Sequence, residues 1–335
     1  MSSHIESSLN APTPDPVPVT TTTGSDGKAG PFSPLSWSEF FETNRKVSIP
    51  SELDSSNISF NIYEINSDKK GDLPVIVLHH GAGHCALSFA ATARALHRIL
   101  GDQVRIMSYD ARGHGETTSD DQNNLHIDRL ARDLHNIILT LYGQQGKKES
   151  SLPTFFLVGH SMGGAVVTEV ATRGLLPNVA RFAVLDIQET NKEIALLYVR
   201  KWCESRPVTC DSVEQAIQWG VESGTVHNVD SARISFTGMV GRIPGSPPKY
   251  TWYTDLMLSE AHWHTWFENL NRKFLSAKPP KILILQGRNA MDDEMKAAYE
   301  QGNFQLSFFE NSGHAVQEDE PDRMGKELAA FWEEK

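Results

Sequence analysis

Residues 154–173 read TFFLVGHSMGGAVVTEVATR, and residues 159–163 of this stretch match the pattern G-x-S-x-G. An apolar run comes directly before the pattern, and a segment of helical character follows it. A serine on a tight turn between a buried strand and a helix is exposed above the sheet, and the flanking glycines leave room for that turn. The context on both sides therefore predicts that Ser161 is a nucleophile.

Strands and helices are predicted to alternate on both sides of this motif. Apolar runs indicate strands near 58–63 and at 73–80, 104–109, 154–159, 182–186, 281–287 and 304–309. Apolar residues at helical spacing indicate helices at 87–100, 125–142, 163–173, 293–301 and 321–332. Alternation of this kind gives a mostly parallel central sheet with helices on both faces. Together with the serine motif, it predicts an α/β protein of the α/β-hydrolase fold.

The predicted fold is interrupted once. Residues 1–34 contain four prolines between positions 12 and 18 and a threonine run, so we expect a disordered tail. The core is predicted to span 35–187 and 279–335, separated by a helical cap at 188–278. In the cap, Ser212 with Gln215 resembles a capping box, and aromatic residues between 263 and 274 have the spacing of a second helix.

Composition excludes several classes of function. There are 31 Lys and Arg against 42 Asp and Glu, which gives a net charge of −11 and makes nucleic acid an unsuitable partner. No apolar run approaches the roughly 18 residues of a membrane span, and no signal peptide is evident. The sequence thus predicts a soluble protein of the cytoplasm, or also of the nucleus. Cys85, Cys203 and Cys210 do not form a disulfide framework, and we expect them to be packing residues.

A histidine base is expected in a loop beyond the last strand, where Asn311-Ser312-Gly313-His314 stands. The acid is predicted at Asp186, at the end of the strand after the nucleophile helix, because such sites are built at the carboxyl edge of a parallel sheet. Asp292, after the strand that follows the cap, is the alternative. Asp110 is expected to order its own turn with Arg112.

Two backbone N–H groups are expected to bind the oxyanion, those of Met162 and Ala82. Ala82 lies in the loop His80-Gly81-Ala82-Gly83, directly after a predicted strand. Histidines at 79, 80 and 84 raise the alternative of a metal site, but no acidic ligand stands at a matching spacing. We therefore expect no metal and no cofactor.

Several segments together resemble the protein phosphatase methylesterase family. They are FSPLSWSEFFE (32–42), HHGAGHCALSFA (79–90), GHSMGGA (159–165), AIQWGVESGTVHNVDSARISFTGMV (216–240), YTWYTDL (250–256), WHTWFENL (263–270) and GHAVQEDEPD (313–322). The resemblance implies hydrolysis of the methyl ester on the C-terminal leucine of the protein phosphatase 2A catalytic subunit, with release of methanol. It also implies Ser161, Asp186 and His314 as the triad, and that catalytic subunit as both substrate and binding partner. Some relatives carry a long acidic insertion where this chain has only GRIPGSPPK (241–249).

Two groups of aromatic residues each leave two interpretations open. Trp263, Trp266 and Phe267 either line an apolar substrate pocket or pack the cap. The second group, formed by Phe32, Trp37 and Phe40, either binds a partner or packs on its own domain. For the whole chain, the alternatives to the methylesterase are a phosphatase-binding protein that sequesters the inactive phosphatase and a generic small-ester hydrolase.

Overall fold

The computed structural model describes residues 30–143, 151–190, 192–287 and 291–334. Its main sheet has eight strands in the order β1-β2-β4-β3-β5-β6-β9-β10, with β1 and β2 antiparallel to their neighbours and the remaining pairs parallel. The strands are β1 (Thr43–Ser48), β2 (Ser59–Ile65), β3 (Val75–His79), β4 (Arg105–Tyr109), β5 (Phe155–His160), β6 (Val179–Leu185), β9 (Lys281–Leu285) and β10 (Gln305–Phe308). The predicted mostly parallel sheet is confirmed.

Helices cover both faces of this sheet. They are α1 (Ala90–Leu100), α2 (Ile127–Tyr142), α3 (Met162–Arg173), α4 (Lys192–Ser205), α5 (Val213–Glu222), α6 (Val229–Ser235), α7 (Leu270–Ser276), α8 (Asp293–Glu300), α9 (Val316–Asp319) and α10 (Pro321–Glu333). Strand β3 shows why two layers are needed, since Val75 and Val77 join one buried cluster while Ile76 and Leu78 join the other. Successive side chains of a strand point to opposite faces, so a fully apolar strand must be covered twice.

The segment between β6 and β9 contains α4 to α7 and a small sheet of its own. That sheet pairs β7 (Val240–Ile243) with β8 (Lys249–Trp252) in antiparallel fashion, whereas the sequence suggested helices alone here. The single helix expected across 263–274 is also wrong. A 3-10 segment, Leu256–Trp266, is separated from α7 by Asn269, whose φ of +55° is left-handed and ends the regular turn.

Strand β1 was missed because its sequence is mostly polar. Only Val47 of its six residues is buried, since β1 lies at the edge of the sheet and pairs on one side. A pattern search for apolar runs does not find such a strand.

The N-terminal boundary also differs from the expected one. Residues 1–29 of the predicted tail lie outside the described residues, but residues 30–34 are held to α6. Arg233 Nε donates to the carbonyl oxygen of Ser33, and Leu35 N donates to that of Arg233. Among the described residues, no helix combines the length and apolar character needed to cross a membrane.

Candidate active site

The turn around Ser161 has the geometry that the motif requires. Ser161 follows β5 and precedes α3 with φ +50° and ψ −121°, a strained conformation for a residue with a side chain. Its N–H donates to Leu185 O at 2.8 Å, which fixes the turn to β6. A Cβ at Gly159 would overlap the carbonyl oxygen of Gly163, so this glycine is required by close backbone approach. The turn thereby holds the half-buried Ser161 at the carboxyl edge of the sheet.

His314 and Asp186 meet at this same edge. His314 Nδ1 donates to Asp186 Oδ2 at 2.7 Å, and the other carboxylate oxygen accepts from Gln286 N at 3.0 Å. Asp186 has a φ of +49°, a second left-handed residue directly after a strand. Its side chain is 9% exposed and that of His314 is 35% exposed. With Nδ1 protonated, neutral His314 presents an unprotonated Nε2 as a proton acceptor.

The alternative acid, Asp292, has a different position. Its Oδ1 accepts from Met295 N at 2.8 Å and caps the N-terminus of α8, while Oδ2 accepts from Asn271 Nδ2 at 2.7 Å and from Thr190 Oγ1 at 3.0 Å. Asp292 is therefore the N-cap residue of α8 and stabilises the start of that helix. Of the two candidates, Asp186 is the carboxylate that contacts His314.

The loop after β3 lies against the nucleophile turn. A Cβ built on Gly81 would lie 3.1 Å from the Cβ of Ser161. Gly83 N donates to His114 Nε2 at 2.9 Å, which fixes the loop. Within the described part of the chain, the hydrogen bonds do not engage the N–H of Ala82 or of Met162. Ala82 follows Gly81 and Met162 follows Ser161 in the chain, and their role in binding the oxyanion stays a prediction.

No hydrogen bond joins Ser161 Oγ to His314 among those of the described residues. Contacts between a nucleophile and its base are often long without substrate and shorten in the reacting complex. The structure thus brings Asp186 and His314 into direct contact, and it ties the backbone of Ser161 to Leu185, the residue before Asp186.

The histidines of the β3 loop are used to shape it. His79 Nδ1 donates to His80 O at 2.9 Å, and His80 Nδ1 donates to Gly81 O at 2.7 Å. His80 Nε2 accepts from Ala111 N at 2.9 Å. Burial lowers the pKa of His79 to about 4 and that of His80 well below its usual value, so both rings stay neutral. These rings act as hydrogen-bonding groups of the loop.

His160, the residue before the nucleophile, was not singled out from the sequence. Its Nε2 donates to the carbonyl oxygen of His314 at 2.9 Å, and the two rings are 4.7 Å apart. Gln317 Nε2 lies 3.4 Å from His160 Nδ1, which therefore accepts. Burial, followed by the proximity of His314 and His84, lowers the pKa of His160 well below its usual value. A neutral His160 thus ties the nucleophile turn to the loop that carries the base.

A second buried pair joins the same two loops. His84 Nδ1 lies 3.2 Å from Glu318 Oε1, and both side chains are almost fully buried. Burial lowers the pKa of His84 to about 3 and raises that of Glu318 well above its usual range, so the pair is neutral. From the sequence, His84 was considered only as a metal ligand, and its pairing with Glu318 was not predicted because the two residues are far apart in the chain.

Asp110 orders its turn, but without Arg112. It accepts from Ala86 N at 2.7 Å, Asn61 Nδ2 at 2.9 Å and Glu116 N at 3.0 Å. Arg112 instead forms two bonds to Asp133, at 2.7 and 2.8 Å, in a fully buried ion pair. The expected pairing of Asp110 with Arg112 is wrong, because the guanidinium extends away toward α2.

The aromatic residues proposed for a pocket are core residues in the structure. Trp263, Trp266 and Phe267 are 2%, 3% and 6% exposed, and the Trp266 indole donates to Leu125 O at 2.8 Å. Of the two interpretations, the structure therefore agrees with packing of the cap. Trp202 of α4 instead contacts the loop after β3, since a Cβ on Gly83 would be 2.5 Å from its ring.

The N-terminal aromatic residues also contact their own domain. Phe40 is 6% exposed and lies under Arg94, whose Cζ is 4.3 Å from the ring centroid. Trp37 packs against Tyr63 with 5.9 Å between ring centroids, and Phe32 is partly buried against the same cluster. These contacts favour the interpretation that the segment packs on its own domain.

Comparison with known proteins agrees with this geometry. Residues 76–327 match the alpha/beta hydrolase family. E-2-(acetamidomethylene)succinate hydrolase has a similar structure, with a TM-score of 0.67 at 18% identity over 87% of this chain and 99% of its own. An esterase from Mycobacterium tuberculosis has a TM-score of 0.60 at 17% identity, covering 87% and 92% of the two chains. At these identities the structural similarity shows the fold alone.

Two sequence relatives are more informative. Protein phosphatase methylesterase 1 of Bos taurus is 32% identical, over 91% of this chain and 87% of its own length. The protein of the same name from Aspergillus oryzae is 36% identical, over 89% and 71%. The chain therefore belongs to the alpha/beta hydrolase family and, within it, to the protein phosphatase methylesterases. It is an enzyme, a serine esterase.

Proposed function

We propose that this chain removes the methyl ester from the C-terminal leucine of the protein phosphatase 2A catalytic subunit and releases methanol. The observation that carries the proposal is the contact of Asp186 with His314 beside the strained Ser161 turn, in a chain whose relatives are named protein phosphatase methylesterases. The fold and site alone support ester hydrolysis. The protein substrate comes from the relatives.

In the proposed reaction, His314 Nε2 takes the proton of Ser161 as Oγ attacks the ester carbonyl. Asp186 keeps the His314 proton on Nδ1 and stabilises the imidazolium that forms. The oxyanion accepts hydrogen bonds from the N–H groups of Ala82 and Met162. The C–O bond to methoxide then breaks, methanol leaves with the proton from His314, and an acyl-enzyme remains on Ser161. Water attacks this ester in the same way, returning the free carboxylate and the serine.

Carboxymethylated protein phosphatase 2A, incubated with the wild-type chain and with Ser161→Ala, tests the proposal. Methanol release and loss of the methyl mark are measured together. We expect removal of the nucleophile to lower kcat by roughly a million-fold. Ser51→Ala, at an exposed serine outside both the nucleophile turn and the N-terminal aromatic segment, is the matched control and should keep the wild-type rate. Demethylation by Ser161→Ala at the wild-type rate would refute the assignment.

The same experiment separates the two alternatives. A chain that only sequesters the phosphatase would bind it without releasing methanol in either form. A generic small-ester hydrolase would turn over short acyl esters but leave the methylated phosphatase unchanged.

A further inference from the structure

His84 closes the turn that carries Ala82. His84 N donates to Gly81 O at 3.1 Å, and Gly83 within the turn has a φ of +74°. A bond from the fourth residue back to the first holds a β-turn together, and glycine is favoured where φ is positive. Whatever holds the side chain of His84 therefore also holds the backbone around Ala82.

That side chain has partners on three sides. Its ring stacks on Trp202 with 6.0 Å between centroids and 7° between planes, and it meets the ring of His160 edge-on at 5.5 Å. Its Nδ1 lies 3.2 Å from Glu318 Oε1. Glu318 is in α9, four residues after His314 in the chain. The contact between His84 and Glu318 thus joins the turn to the segment that carries the base.

The position of the protons in this contact follows from the burial of Glu318. Its side chain is 1% exposed, and Oε2 has no hydrogen-bond partner in the described part of the chain. An ionised carboxylate with one oxygen left unpaired is costly at such a site, whereas a protonated carboxyl group needs an acceptor for its O–H. The acceptor in contact is His84 Nδ1. The O–H on Oε1 therefore donates to Nδ1, and His84 carries its own proton on Nε2.

The remaining groups agree with this arrangement. His84 Nε2 forms no hydrogen bond with a described residue, yet it is not one of the buried atoms that lack a partner, so its N–H reaches solvent. Burial, together with the nearby charge of Asp319, raises the pKa of the Glu318 carboxyl well above its usual range. Burial also lowers the pKa of His84 to about 3. Both groups are therefore neutral near pH 7, as a hydrogen bond from Oε1 to Nδ1 requires.

We propose that Glu318 is a positioning residue for ester hydrolysis, whose protonated carboxyl donates a hydrogen bond to His84 and so holds the turn of Ala82 at a fixed distance from His314. The proposal rests on the oxyanion role of this turn in the proposed reaction, but it applies to any ester that Ser161 attacks. The oxyanion must reach its donors while the base transfers a proton at the same carbon. The relative position of the two segments therefore decides how well the transition state is stabilised.

Two substitutions of Glu318 test the hydrogen bond with p-nitrophenyl acetate as substrate. In Glu318→Gln, the amide N–H₂ donates to His84 Nδ1 as the acid does, so kcat should stay within about threefold of the wild type. Glu318→Leu is similar in size but has no donor, and kcat should fall about 10- to 100-fold. KM should change little, because the interaction acts in the transition state. If Glu318→Gln loses as much kcat as Glu318→Leu, the pair works as an ion pair and the proposal is overturned.

The double variant His84→Phe with Glu318→Leu separates positioning from stability. Phenylalanine keeps a ring on Trp202, and the apolar pair leaves no buried polar group unpaired, so the urea midpoint should return toward that of the wild type. The kcat should stay low, because no hydrogen bond fixes the turn. Recovery of kcat together with stability would show that the pair only packs. If Glu318→Leu alone does not fold, the double variant and Glu318→Gln decide the same question.

Infrared difference spectra give an independent measurement. The wild-type chain at pH 7 should show a C=O stretch of a protonated carboxyl group that is missing from Glu318→Gln, and its absence from the wild type overturns the proposal. Glu300→Leu is the control for kinetics. Glu300 is exposed at the end of α8, which leads into the start of β10, whereas the site lies at the carboxyl ends of the strands. An equal loss of kcat in this control would show that the effect of Glu318→Leu is not local.

The outcome is separable from that of the proposed function. A wild-type chain that hydrolyses p-nitrophenyl acetate but not carboxymethylated protein phosphatase 2A fails the proposed function and leaves the role of Glu318 intact. Unchanged kcat for p-nitrophenyl acetate in Glu318→Leu overturns the role of Glu318 and leaves the proposed function intact.

Discussion

Replacement of Asp186 by asparagine tests the proposed acid directly. The carboxylate lies 2.7 Å from His314 Nδ1 and is largely shielded from water, so its charge acts on the ring at close range. In Asp186→Asn, an amide N–H₂ turned toward His314 would force Nδ1 to accept. The proton would then lie on Nε2, which could no longer take the proton of Ser161.

The expected loss is large. A wrong tautomer of the base, with no carboxylate to stabilise the imidazolium, lowers kcat by about 10⁴ in serine hydrolases, or about 5 kcal/mol in activation free energy. Because asparagine has nearly the same volume, the stability of the fold should change little. Steady-state kinetics with p-nitrophenyl acetate and urea unfolding on the same preparation measure both quantities.

Asp292→Asn is the paired control. Asparagine caps helices about as well as aspartate, so α8 should keep its N-cap and activity should stay within about twofold of the wild type. If Asp186→Asn keeps more than a tenth of the activity, or if Asp292→Asn loses more than Asp186→Asn, the assignment of the acid is wrong.

Three further perturbations have clear expected outcomes. Acidification from pH 7 to 5.5 should destabilise the fold by about 2 to 3 kcal/mol through His84 and His114 alone. Their pKa values are lowered by burial to about 3 and about 4, so below pH 6.5 the unfolded chain binds protons that the folded chain does not. An unchanged urea midpoint, followed by tryptophan fluorescence, would contradict this. Gly159→Ala places a methyl group against the next turn of backbone and should lower kcat at least about 100-fold; activity within threefold of the wild type would show that the turn adapts. His160→Leu removes the hydrogen bond to His314 O and should lower kcat about 100-fold. His160→Gln can still donate this bond, so its kcat should be about tenfold higher than that of His160→Leu. Equal kcat values in the two variants would exclude the positioning role.

The candidate catalytic residues differed in how far the sequence could place them. Ser161 was located from local pattern alone, because the strand, glycines and helix that hold it are contiguous in the chain. His314 followed from its distance beyond the last strand. The choice between Asp186 and Asp292 depended on which strand ends lie side by side. In the structure β6 lies between β5 and β9, and Asp186 is the one of the two that contacts His314.

The errors, and the alternatives that the sequence left open, have physical causes of the same kind. Aromatic side chains at helical spacing fit a pocket and a core equally well in sequence, and only packing showed that Trp263 and Trp266 are buried. Polar β1 gave no apolar signal because it pairs on one side only. The guanidinium of Arg112 could reach several carboxylates, and the fold selected Asp133.

By itself, the sequence determined the alternation of strands and helices, the nucleophile turn and the loop of the base, because each depends on residues close together in the chain. Only the tertiary structure decided which carboxylate meets His314, that His160 holds the base loop, and that α4 leaves Ile194, Leu197 and Tyr198 exposed. The two contacts join residues that are 128 and 154 positions apart, and the exposure of α4 depends on what covers a surface. The local sequence pattern does not predict such contacts, because they form only when the sheet brings distant strand ends to one edge.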